Sequence, residues 1–215
     1  MNALTQTSRI PGLAGDIEIA VDTPDVAASG TPRGVVVIAH PHPLFGGTMD
    51  NKVVQTVARA FVQCGWTAVR FNFRGVGASA GTHDEGRGEM EDLLAVAEHA
   101  SPLAEGGALA LAGFSFGAFV TTHAFARLAP TRPIDQLVLV GTSVSRSPAA
   151  VIDAGAHRRT LVVHGEQDDT VRLADVMDWA RPQALPVTVI PGGGHFFHGQ
   201  LPLLKGLVMR HLMSS

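Results

Sequence analysis

Three side chains in this 215-residue chain could together perform acyl chemistry: Ser115, Asp168 and His195. Ser115 lies in Gly113-Phe-Ser-Phe-Gly117, which follows the apolar run Ala108–Ala112 and precedes Phe116–Arg127, a segment with apolar residues at helical spacing. A serine at such a strand-to-helix turn is held in a strained conformation, with its hydroxyl clear of the sheet edge. A serine hydroxyl is a weak nucleophile alone. It needs an imidazole to take its proton and a carboxylate to hold the imidazole in the right tautomer. Asp168 follows the short apolar run Leu161–His164 and Gly165, and His195 follows Val187–Ile190, Pro191 and three glycines. Both therefore fall on loops beyond strand ends, and Pro191–Gly194 reads as a loop flexible enough to carry His195 over the sheet.

Asp169 and His198 are the competitors. Asp168 is preferred because it stands three residues after the strand-ending glycine, whereas Asp169 reads as a solvated helix start before Thr170. His198 stands near the start of the final helical segment and reads as a surface residue or one behind the site.

A tetrahedral intermediate also needs two donors converging on its oxyanion. Phe116 N–H opens a helix and supplies one. The second should come from the loop after Gly34–Ala39, the most strand-like run in the chain, which breaks into His40-Pro-His-Pro-Leu-Phe-Gly-Gly47. Pro41 and Pro43 have no N–H, which leaves the His42 backbone as the second donor. Leu44, Phe45, Phe116 and Phe197 flank these atoms; they read equally as an apolar acyl pocket and as ordinary core side chains. Arg74 either braces a loop or binds a carboxylate, with bracing favoured. A zinc site built on His40, His42 and His195 is disfavoured, because prolines orient the first two rings poorly and no further carboxylate is assigned. No metal or other cofactor is expected. Gly75-Val-Gly77 and Gly192–Gly194 lack the further residues of a phosphate cradle.

The elements that must position these groups alternate along the chain. Thr5–Ile10 and Ile17–Val21 predict a hairpin, followed by strands at Gly34–Ala39, Thr67–Phe73, Ala108–Ala112, Gln136–Val140, Thr160–His164 and Val187–Ile190. Helices are predicted at Asn51–Cys64, Glu89–Ala100, Phe116–Arg127, Val171–Trp179 and Leu201–Leu212. This alternation implies an eight-stranded, mostly parallel sheet covered by helices on both faces, with ligand loops beyond the strand carboxyl ends.

The chain resembles small bacterial α/β-hydrolases of the dienelactone-hydrolase-like and esterase-like group that lacks a cap. The resemblance rests on His40-Pro-His-Pro, Phe71-Asn-Phe-Arg-Gly-Val-Gly-Ala-Ser79, Gly-Phe-Ser115-Phe-Gly, His164-Gly-Glu-Gln-Asp168 and Gly-Gly-His195-Phe-Phe-His. Many relatives have His-Gly where this chain has His40-Pro41, and dienelactone hydrolases with a cysteine nucleophile differ at Ser115. The resemblance implies the α/β-hydrolase fold and a serine hydrolase that cleaves small carboxylic esters. Thioesters, peptides, acyl transfer or a non-catalytic binding role are its alternatives. Larger relatives insert a cap after the sixth strand, whereas only 18 residues separate Gly141 from Thr160 here. That connection predicts at most a short helix within Ser143–Ala156 and an open groove.

Composition narrows the class further. The length suits one domain over residues 1–215. A net charge of −3, with Lys and Arg scattered singly, gives no footprint for nucleic acid or an anionic membrane. Cys64 is the only cysteine, so no internal disulfide forms. Met1–Ile10 lacks the pattern of a signal peptide, and no apolar run approaches the roughly 20 residues of a membrane span. A cytoplasmic enzyme acting on a small acyl substrate is the expectation.

Overall fold

The computed structural model describes residues 5–25, 32–104, 106–145 and 148–214. Residues 1–4 of the segment tested for a signal peptide lie outside this range, as do residues 146–147 of the connection after Gly141. The strands are β1 (Gln6–Gly12), β2 (Gly15–Asp22), β3 (Gly34–Ala39), β4 (Thr67–Phe71), β5 (Ala108–Phe114), β6 (Gln136–Val140), β7 (Thr160–Gly165) and β8 (Val187–Ile190). The α-helices are α1 (Lys52–Gln63), α2 (Arg87–Ala100), α3 (Phe116–Leu128), α4 (Leu173–Ala180) and α5 (Leu201–Ser214).

One eight-stranded sheet runs β1-β2-β4-β3-β5-β6-β7-β8. The β1–β2 hairpin and the β2–β4 pair are antiparallel. All remaining pairs are parallel. Pro11, which cannot donate to a ladder, is tolerated because β1 is an edge strand.

The central strands are apolar throughout because both of their faces are covered. Successive side chains of β3 alternate between two cores: Val35, Val37 and Ala39 face one, Val36 and Ile38 the other. The first core receives Leu93 and Val96 of α2 with Val120 and Phe125 of α3. The second receives Val54 and Phe61 of α1 with Leu204 and Val208 of α5.

Differences from the predicted boundaries have local causes. β4 ends at Phe71 rather than Phe73, because the Asn72 N–H bonds Glu18 O at 2.9 Å and the Phe73 N–H leaves the ladder for the His40 ring at 3.0 Å. α2 begins at Arg87, before Glu89, whose carboxylate folds back to the Gly86 N–H at 2.8 Å and caps the first turn. α4 begins at Leu173 rather than Val171, since the Val171 N–H is committed to Asp168 at 2.7 Å.

The connection from β6 to β7 carries one short 3-10 turn, Ala154–Arg159, among its described residues. No cap is built there. Among the described residues, no helix is long and apolar enough to cross a membrane.

Candidate active site

Ser115 joins β5 directly to α3 with φ 58° and ψ −119°. Left-handed backbone at a non-glycine residue costs about 1–3 kcal/mol and persists only where its surroundings impose it. The Ser115 N–H is bound to Val140 O of β6 at 2.9 Å, and its carbonyl accepts Phe119 N–H at 3.1 Å and Ser143 N–H at 3.2 Å. The flanking glycines permit the close approach this turn needs. A Cβ on Gly117 would stand 2.4 Å from His40 O, and one on Gly113 would stand 2.5 Å from Gly117 O. The start of α3 is thus packed against the end of β3.

His195 reaches Ser115 from the loop after β8. Its Nε2 lies 2.9 Å from Ser115 Oγ and its Nδ1 lies 2.7 Å from Asp168 Oδ2. The imidazole is buried between Phe114, with ring centroids 4.9 Å apart, and Phe196, at 5.1 Å. The 191–194 loop carries His195 over the sheet end, as expected, and is tied down by several hydrogen bonds. Glu166 Oε2 accepts the Gly192 N–H at 2.8 Å, the Gln167 N–H bonds Gly193 O at 2.8 Å, and Gln200 Nε2 donates to Pro191 O at 3.0 Å.

Asp168 is fixed from three sides. Its Oδ1 accepts the N–H groups of Val171 at 2.7 Å and Thr170 at 3.0 Å, leaving Oδ2 for His195. Burial alone would raise this carboxyl, but the hydrogen bonds from His195 and Val171 outweigh it and hold the group below the ordinary aspartate value. Behind it, His164 Nε2 donates to Val171 O at 2.9 Å and lies 3.5 Å from Asp168 Oδ2. Asp169 and His198 are both exposed. The Asp169 carboxylate accepts from the Thr170 hydroxyl at 3.3 Å, and the His198 ring stands 6.0 Å from that of Phe196.

The loop after β3 lies beside the elbow. The rings of His42 and Phe116 are 4.8 Å apart, so the two residues whose backbones were expected to face an oxyanion are neighbours. His40 faces inward instead. Its Nδ1 bonds Pro41 O at 2.6 Å and its Nε2 accepts from Phe73 N–H at 3.0 Å, so backbone occupies both nitrogens that a metal would need. Among the described residues no cluster of three metal-ligating side chains occurs.

A cleft of about 550 Å³ opens next to Phe116. Leu44, Phe45, Phe116 and Phe119 form its apolar side. His42, His83, Glu85, Arg87 and Ser143 supply its polar lining. Leu44 and Phe45 therefore line the cleft, but Phe197 does not. Its side chain is fully buried in the core beneath α5, where a backbone φ of 50° turns it inward, so its assignment to substrate binding is corrected. His83, Glu85, Arg87, Phe119 and Ser143 escaped the sequence reading; they come from a polar loop, two helices and the loop after β6, which meet only in the folded chain.

With this geometry in hand, comparison with known proteins places the chain. The family model for serine aminopeptidases, S33, matches residues 30–156. The chain belongs to this family. The S33 match includes Ser115 and the loop after β3, while Asp168 and His195 lie beyond it. An uncharacterized protein of Rickettsia prowazekii is 30% identical over 180 residues, or 76% of this chain and 71% of that protein. The crystal structure of an α/β serine hydrolase without lid from Xanthomonas campestris superposes with a TM-score of 0.86 at 33% identity, covering 100% of this chain and 96% of that one. An α/β serine hydrolase homologue from Coxiella burnetii gives 0.82 at 38% identity, covering 96% and 97%. The chain is thus a lidless α/β-hydrolase of the S33 family.

Within this S33 fold Arg74 spans β4 and α2. Its guanidinium grips the buried Asp92 through Nε at 3.0 Å and Nη2 at 2.8 Å, and its own N–H bonds the same carboxylate at 3.0 Å. A Cβ on Gly88 would stand 1.9 Å from the guanidinium, so α2 carries glycine where Arg74 passes.

Proposed function

We propose that the protein hydrolyses small carboxylic esters through an acyl-Ser115 intermediate. The observation that carries this reading is the continuous chain from Ser115 Oγ through His195 to Asp168, with contacts of 2.9 and 2.7 Å. Ser115 Oγ attacks the ester carbonyl carbon while its proton passes to His195 Nε2. Asp168, facing Nδ1, stabilises the imidazolium formed. The carbonyl oxygen becomes an oxyanion received by the backbone N–H groups of Phe116 and His42, an arrangement whose donors are typically worth about 10²–10³ in turnover each. Collapse breaks the bond to the alcohol oxygen, which leaves with the proton from His195. A water then gives its proton to His195 and attacks the acyl carbon. The acid departs, and Ser115 recovers its proton.

Leu44 and Phe45 supply the apolar wall for the acyl group. The absence of a cap among the described residues supports small or extended substrates reached from open solvent, with water as the acceptor. Peptide hydrolysis by the same three residues is a second reading, supported by the serine aminopeptidase description of the family.

A fluorophosphonate probe should label the wild-type protein and not Ser115→Ala. Acyl esters, thioesters and dipeptide amides assayed in parallel then separate the bonds. Faster turnover of the dipeptide amide than of the ester overturns the esterase reading, and absence of labelling overturns catalysis at Ser115 altogether.

A further inference from the structure

We propose that the cleft beside Phe116 is a subsite for a planar aromatic acyl group, with His83 and Phe119 determining the preference. The proposal rests on the esterase reading of Ser115 and adds its substrate class.

The cleft wall is a continuous set of rings. His42 stands 4.7 Å from Phe45, 4.9 Å from His83 and 4.8 Å from Phe116, measured between centroids. Phe116 continues the set to His83 at 5.5 Å and Phe119 at 6.0 Å. All five rings line the cleft. Their planes are tilted by 37–55° to one another, so the wall offers faces and edges together. An aliphatic group would fill such a space by area alone. A flat ring gains offset-stacked and edge-to-face contacts as well.

The His83 ring is held in place from behind. Its Nδ1 lies 2.7 Å from Glu89 Oε1, and Glu89 is wholly buried with its oxygens accepting Gly86 N–H at 2.8 Å and Asp84 N–H at 2.9 Å. The two groups are in close contact without the alignment of a hydrogen bond. A carboxylate capping α2 thereby tethers an imidazole on the cleft side. At the rim, the exposed Arg87 guanidinium, paired through Nη2 with Asp84 at 3.1 Å, adds a cation to the lining.

The acyl side is assigned by the position of the base. The departing alcohol oxygen must take its proton from His195 Nε2, so that part of the ester lies toward His195. Neither His195 nor its ring neighbours Phe114 and Phe196 line the cleft, which extends from Phe116 toward Phe119 and Arg87. The group left in it is the acyl group.

The test compares methyl phenylacetate with methyl cyclohexylacetate, which share an alcohol and differ in ring planarity. We expect kcat/KM to favour the phenyl ester by roughly tenfold, the size of one to two aromatic contacts. In His83→Leu and in Phe119→Leu the ratio should fall toward one, with thermal melting used to confirm folded protein. A wild-type ratio near one, or a ratio that survives both substitutions, overturns the proposal. Benzyl acetate against cyclohexylmethyl acetate should show no preference; a preference appearing only there overturns the acyl assignment. Fluorophosphonate labelling of Ser115 separates failure of the esterase reading from failure of the subsite. If labelling is absent, titration calorimetry of Ser115→Ala with phenylacetate and cyclohexylacetate still decides: equal affinities overturn the subsite and tighter phenylacetate binding supports it.

Discussion

The ring of His40 is clamped to the backbone of Phe73: Nε2 accepts the Phe73 N–H at 3.0 Å while Nδ1 donates to Pro41 O at 2.6 Å. Only the neutral Nδ1–H tautomer satisfies both bonds, because a proton on Nε2 would oppose the Phe73 N–H. Burial lowers the His40 pKa from 6.5 to about 4, against the raising effect of the Pro41 carbonyl. Between those values the unfolded chain holds the proton that the folded chain refuses, so stability rises with pH there. The contribution is complete above pH 6.5 and is lost as pH falls toward about 4. The full loss is about 3 kcal/mol at 1.36 kcal/mol per pH unit. Urea midpoints at pH 7.5 and 4.5 should differ less in His40→Asn than in wild type, although the variant is less stable at both. An unchanged difference would remove His40 from the account.

Ser115→Ala and His195→Ala should each lower kcat for a short acyl ester by several orders of magnitude, since the 2.9 Å contact joins them into one unit. The double variant should be scarcely worse than either single one. Multiplication of the two losses in steady-state kinetics would mean that the residues act independently.

Asp168→Asn should lower kcat by about 10⁴-fold, because an amide facing Nδ1 selects the wrong imidazole tautomer. The Val171 and Thr170 N–H groups can still bond the Asn oxygen, so Tm should change little by comparison. Asp169→Asn, altered on an exposed side chain, should remain within a few-fold of wild type. The reverse order would transfer the acid to Asp169.

Arg74→Ala should destabilise the fold by about 3–5 kcal/mol, because it strands the Asp92 carboxylate, whose side chain is only 1% exposed. The double variant Arg74→Ala/Asp92→Leu should recover part of that loss in urea denaturation. If Arg74 instead bound a substrate carboxylate, Arg74→Ala would raise KM for a carboxylate-bearing ester selectively and leave the midpoint unmoved.

The strands and the elbow were legible because apolar runs and their glycine boundaries are local. Val35 to Ala39 can satisfy a two-faced core only as a buried strand, and Gly113 with Gly117 marks the places where the chain passes too close to backbone for a side chain. Side-chain direction in loops was not legible. Phe196 and Phe197 are adjacent and chemically alike, yet one packs on His195 and the other enters the core, a choice made by backbone torsion at residue 197. The bonds that hold the loop before His195 were not legible either, because Glu166, which binds Gly192, and Gln200, which binds Pro191, lie 26 and 9 residues from their partners. Glu89 could be read as a helix cap, but nothing local pointed to His83 folding back onto it.

The restraints on the 191–194 loop act on time as well as position. If His195 is the base for Ser115, an imidazole already seated 2.9 Å from Oγ needs no slow rearrangement between arrival and attack, and the first turnover should proceed without a lag. On that reading, arrival and the stripping of water from whatever enters would set how soon the reaction begins.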